Sequence, residues 1–216
     1  MPDEAAEPSQ AELAHDAPHG RFFLLGISSA AFAGCVAVAF GGQFMTGASA
    51  TADLAEPDLI DPLTWLGAAL ATLPMFALLY LERGSRFARL RELWELSGEL
   101  LGPVVARVTF AELVIVSLFA GIGEELLFRG FLQSWLGTYG LLVALVVPNL
   151  LFGVLHWVSR DYAVCTFCIG LYFSCLLHFA DSVNLATLMI AHSLYDLVAL
   201  TCLAREVRSR TDRVSC

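Results

Sequence analysis

The sequence predicts an all-α polytopic transmembrane helix bundle, with about six spans and an amphipathic surface helix. Three observations carry that expectation. Hydrophobic residues make up 57% of the 216-residue chain and charged residues only 15%, with a mean hydropathy of +0.70. A soluble domain of this size could not bury that much apolar surface. The apolar residues also lie in long runs, each near the ~20 residues needed to cross a bilayer. Finally, the arginines fall almost entirely between alternate runs.

The runs lie near 22–42, 63–81, 109–128, 140–158, 162–180 and 184–204. Residues 1–20 form an acidic, disordered tail. Residues 21–107 hold two N-terminal spans and a linker, 108–204 a core of four spans, and 205–216 a basic tail. Residues 43–62 form an acidic loop with Asp53, Glu56, Asp58 and Asp61. In the linker, Leu90, Leu93, Trp94, Leu96 and Leu100 recur at helical spacing among Arg and Glu, the pattern of a helix lying on a membrane surface.

The chain has no lysine and twelve arginines. With a cytoplasmic N-terminus and six alternating spans, Arg21, the five from Arg83 to Arg107, Arg160 and the four from Arg205 to Arg213 all lie inside, as the positive-inside rule requires. Both termini are then cytoplasmic, and the Ala- and Arg-rich, Lys-free composition suits a GC-rich bacterial genome, so the expected location is a bacterial inner membrane. Arg129 alone breaks the rule. The net charge of −9 excludes a basic nucleic-acid face. The first apolar run is too long for a secretory signal core. Five of six cysteines fall in apolar runs, and Cys165-x-x-Cys168 reads as helix packing rather than a redox or metal motif.

Arg129 closes a polar cluster at the end of the third run, Gly123-Glu124-Glu125-Leu126-Leu127-Phe128-Arg129. Ionised carboxylates near a bilayer centre cost ~2.5 kcal/mol or more each, and such residues are functional by default. Glu125 and Arg129 are spaced i,i+4 in the favourable order for an ion pair. Glu124 points ~100° away and finds no partner on its own helix, which makes it a candidate general base. In the fourth run, Phe152 and His156 share a face; in the sixth, so do His192 and Asp196, a spacing at which the carboxylate can fix or charge the imidazole. His178, beside Asp181, and Glu112 read as interfacial, and Pro148-Asn149 as a kink without a catalytic role.

Taken in order, E-E-x-x-x-R (Glu124, Glu125, Arg129), F-x-x-x-H (Phe152, His156) and H-x-x-x-[ND] (His192, Asp196) resemble the CPBP family of intramembrane endopeptidases. That family includes the type II CAAX prenyl endopeptidases and bacterial Abi-like self-immunity proteins. The resemblance covers about residues 109–204. It implies that Glu124 activates a water and that Glu125 and Arg129 hold the site's charge. It also implies that His156 positions the water and that His192 and residue 196 stabilise the oxyanion. The prenyl endopeptidases carry Asn at the last position, a hydrogen-bond donor; Asp196 stands there here and could instead orient His192.

The expected substrate is a membrane-anchored peptide or protein, in a sorting or C-terminal processing role, with no cofactor and no nucleic acid. A zinc-dependent version would use the two His and a Glu as ligands, but Glu125 is committed to Arg129. Two other readings use the same residues. In a scaffold or immunity protein they would form a polar plug that binds a membrane partner. In a small transporter a buried carboxylate would relay protons, but the broken helices or inverted repeats expected there are not evident. With six equal spans, Glu124 and His192 would lie toward the outer side and His156 toward the inner end of its span.

Overall fold

The computed structural model describes residues 17–51, 61–84 and 88–214, so residues 1–16 of the expected acidic tail and residues 52–60 of the acidic loop fall outside the described residues, while residues 17–20 and 43–46 are helical. The described elements are α1 (Ala17–Thr46), α2 (Pro62–Gly84), α3 (Ala88–Val105), α4 (Phe110–Glu125), a π-helical stretch (Leu126–Gln133), α5 (Ser134–Gly137), α6 (Leu141–Leu155), α7 (Arg160–Phe179) and α8 (Leu185–Val214). No strand occurs among the described residues. The chain is a helical bundle, as its hydropathy pattern requires.

Among the described residues four helical segments are long and apolar enough to cross a membrane: Phe22–Thr46, Pro62–Gly84, Arg160–Phe179 and Leu185–Arg210. The third and fourth expected spans differ from the rest. The α-helical part of the third ends at Glu125, after 16 residues, and continues as the wider π stretch. The fourth is a 15-residue helix that stops at Leu155, with His156 as its C-cap. Polar residues explain both departures. The first break falls at the paired carboxylates, and π-helical insertions gather where function re-aims side chains.

Local chemistry sets the boundaries. Thr109 caps α4, accepting from the Glu112 backbone N–H while the Glu112 carboxylate accepts from that of Thr109. Glu112 therefore has a structural task. Gly47, just past the end of α1, has φ +75°, and Gly140, just before α6, has φ +117°, conformations that suit glycine.

Helix α8 is the hub. Helix α4 approaches it so closely that a Cβ on Gly121 would collide with Ser193 Oγ and lie 2.7 Å from the Ser193 nitrogen. Such small-residue contacts are how apolar helices pack tightly in a bilayer. Helix α2 runs parallel to α8, with Gly67 against Thr187, Phe76 against Tyr195 and Arg83 against Glu206. The linker helix is α3. It buries Leu93 and Trp94, packs Gly102 against Val207, and leaves Leu100 and Leu101 exposed. Helix α1 lies along α4, with Phe32 stacked on Phe119 at 4.8 Å, and exposes Phe22, Phe23 and Phe44 outward.

Candidate active site

Four elements deliver the polar residues to one place. Glu124 and Glu125 stand at the last turn of α4, with Arg129 one turn on in the π stretch. His156 caps α6, and His192 and Asp196 lie on α8. The close α4–α8 approach at Gly121 sets the carboxylates against His192. The early end of α6 brings His156 to the same level, so the expected difference in depth between His156 and the other two does not arise. His156 Nε2 lies 3.9 Å from Glu124 Oε2, and His192 Nε2 lies 3.8 Å from the same oxygen.

The two adjacent glutamates have separate surroundings. Glu125 is fully buried, and its Oε1 accepts from Arg129 Nη1 at 3.0 Å and from His192 Nδ1 at 2.8 Å. Its commitment is therefore shared between a guanidinium and an imidazole. Glu124 retains some exposure, its side chain being 23% accessible, and faces a cavity of about 250 Å³. Glu124, His156, His192 and Asp196 all line this cavity.

Both imidazoles present Nε2 to it. Nδ1 of His156 is 2.8 Å from the Phe152 carbonyl oxygen, which can only accept, so Nδ1 carries a hydrogen. Nδ1 of His192 is likewise turned to Glu125. Asp196 Oδ2 lies 3.6 Å from Nε2 of His192. Glu125, rather than Asp196, thus orients the His192 ring, and Asp196 stands beside its working nitrogen.

A buried polar scaffold supports Arg129, whose side chain is 1% exposed. Arg129 Nη2 donates to Asn149 Oδ1 at 3.1 Å. Asn149 Nδ2 donates to the Leu145 carbonyl and to Ser174 Oγ, both at 2.7 Å. Gln133 Nε2 reaches the Ser174 carbonyl at 3.2 Å. The guanidinium also lies 4.9 Å from the Phe152 ring centre and 5.8 Å from that of Phe173, within cation–π range. Phe152 therefore carries Arg129 as well as walling His156, whose ring centre is 4.5 Å away. Gly170 leaves room for the network: a Cβ there would lie 2.6 Å from Asn149 Oδ1 and 2.9 Å from Arg129 Nη2.

Asn149, Ser174, Gln133 and Gly170 do not stand out in the sequence. Asn149 sits beside the predicted Pro148 kink, and its position in an apolar span was the available signal. His178 is exposed against Phe179 and takes no part in the site. Cys165 lines the cavity, Cys168 is exposed, and both are free thiols. Among the described residues no group of three or more His, Cys, Asp or Glu side chains is arranged to hold a metal ion.

Residues 106–198 match the family model described as Type II CAAX prenyl endopeptidase Rce1-like, a stretch that contains every one of these motif residues. Residues 106–198 are thus similar to the Rce1-like endopeptidases, and among the described residues the long apolar helices are those of a membrane protein. No curated protein and no solved structure matches the chain.

Proposed function

We propose that the protein is an intramembrane endopeptidase in which Glu124 activates the attacking water. The observation that carries this reading is the convergence of Glu124 Oε2 with Nε2 of both His156 and His192, from three helices, on one cavity. Separations of 3.8–3.9 Å are too long for direct hydrogen bonds, and an oxygen atom set to one side of the three groups, at ~2.8 Å from each, would touch them all.

In this mechanism the water gives one proton to Glu124 and donates its other hydrogen to His156 Nε2, which is free to accept because Nδ1 is held by the Phe152 carbonyl. The water oxygen bonds to the scissile carbonyl carbon, and the carbonyl electron pair moves to oxygen. His192, as an imidazolium with Nδ1–H held by Glu125, donates Nε2–H to that oxyanion. Asp196 stands beside that nitrogen. The C–N bond then breaks, and Glu124 returns its proton to the departing amine. Glu125, Arg129 and Phe152 fix the geometry. No step requires a cofactor.

The same reading has the protein as a multi-pass protein of a bacterial inner membrane with both termini cytoplasmic. The arginine distribution supports this, as does the parallel packing of α2 and α8, which an odd number of intervening crossings would produce.

The test is Glu124→Gln in the purified protein, reconstituted in bilayer discs and challenged with a membrane-anchored peptide library. Loss of general-base catalysis should lower the rate by about 10²–10⁴ while peptide binding survives. Undiminished cleavage would rule out Glu124 as the base, and biological activity that survives without cleavage would favour a partner-binding protein.

A further inference from the structure

The cavity that holds Glu124, His156 and His192 contains another carboxylate, from outside residues 106–198. Glu82 stands in the last turn of α2, is 8% exposed, and lines the same cavity. Among the described residues no hydrogen bond or ion pair reaches it. Its neighbour Arg83 turns elsewhere, lying over the Trp94 ring at 5.3 Å and pairing with Glu206 at 3.7 Å. Glu206 also receives Trp94 Nε1 at 3.0 Å and Arg210 at 2.7 Å. Three donors thus attend the more exposed Glu206, while buried Glu82 has none.

A carboxylate withdrawn from water without a partner is costly unless something completes it. Glu82 is not part of the cluster around Glu124, and the cavity it lines is walled by apolar Met75, Leu79 and Leu203 and by the neutral Tyr162, Cys165 and Tyr195, none of which is a cation. Its position along the cavity follows from the parallel packing of α2 and α8. Phe76 is level with Tyr195, their ring centres 6.5 Å apart, and Glu82 lies six residues further along α2. At 1.5 Å per residue that is about 9 Å from the level of Tyr195 and Asp196. An extended peptide advances ~3.3 Å per residue, so this distance corresponds to roughly three residues.

We propose that Glu82 is a specificity-determining residue that receives a basic side chain, lysine or arginine, two or three positions from the substrate's scissile carbonyl. The proposal rests on the endopeptidase reading for its register, though a cation site in the cavity stands without it.

Two readouts separate the claims. One is cleavage, by wild type and Glu82→Gln in bilayer discs, of apolar peptides carrying lysine or its neutral isostere norleucine at each position in turn. The other is fluorescence-anisotropy binding of the same peptides to Glu124→Gln and to the Glu82→Gln, Glu124→Gln double variant. We expect wild type to prefer lysine about tenfold or more at one position two or three residues from the cut. Glu82→Gln should bring that preference close to one, and Glu82→Arg should transfer it to peptides with glutamate there. A wild type indifferent to lysine, or a preference that persists in Glu82→Gln, would overturn the proposal and leave the protease reading intact. Glu82-dependent lysine binding with no cleavage of any peptide would keep the cation site and overturn the endopeptidase reading.

Discussion

Nδ1 of His192 lies 2.8 Å from Oε1 of Glu125, and that same oxygen lies 3.0 Å from Nη1 of Arg129. One carboxylate oxygen in a dry interior therefore ties the ring on α8 to the guanidinium of the π stretch. The motif's two glutamates differ because of it: Glu125 is spent on architecture, and Glu124 keeps its oxygen for the cavity.

Breaking that link should unfold the site. Removing one partner of a buried ion pair strands the other and typically costs about 3–5 kcal/mol. Arg129→Met should lower the thermal midpoint strongly in detergent and abolish cleavage. Arg129→Lys should rescue only part of both, because an ammonium cannot span Glu125 and Asn149 as the guanidinium fork does.

Asp196 should tolerate the residue that the prenyl endopeptidases carry. With Glu125 holding the His192 ring, the side chain at 196 need only stand beside Nε2. Asp196→Asn should keep most of kcat, and Asp196→Ala should lose about tenfold or more, in line with removal of one polar neighbour of Nε2. Equal losses in both would show that the carboxylate charge itself is needed.

Gly170 should be intolerant of a single methyl group. Alanine there would press on Asn149 Oδ1 and Arg129 Nη2, and overpacking of this kind costs about 1–3 kcal/mol. Gly34, in α1, has nothing within 4 Å of an added Cβ. Gly34→Ala should therefore be neutral or stabilising by up to about 1 kcal/mol. Melting curves of the two variants beside wild type make the comparison.

Metal removal gives an independent check on chemistry. The expected outcome is full cleavage after prolonged chelation and no stoichiometric zinc in elemental analysis of the active protein. Loss of activity that zinc alone restores would convert the mechanism to a metal-assisted one.

The candidate cluster was legible in the sequence because each piece is local: Glu125 to Arg129, Phe152 to His156 and His192 to Asp196 are all one helical turn. The supporting network was not. The Arg129–Asn149 and Asn149–Ser174 bonds cross between helices, 20 and 25 residues apart, and no periodicity marks their ends. Hydropathy located the helices but not their interruptions. The third and fourth runs are apolar enough to suggest full spans, and only the packing of charged groups shows where the regular helix gives way. Glu82 was hidden for another reason: at the edge of an apolar run, a glutamate beside an arginine reads as an ordinary interfacial pair.

The brevity of α6 has a consequence for the surrounding lipid. Fifteen residues rise about 22 Å, while a hydrocarbon core is ~30 Å thick. Leu150, Leu151, Val154 and Leu155 are exposed along this helix and present an apolar flank. A bilayer around so short a helix thins to match it, or flanking side chains reach out to the headgroups. Under the proposed hydrolysis, thinning on that flank would draw headgroups and their hydration toward His156 and so supply the one water consumed per bond cut.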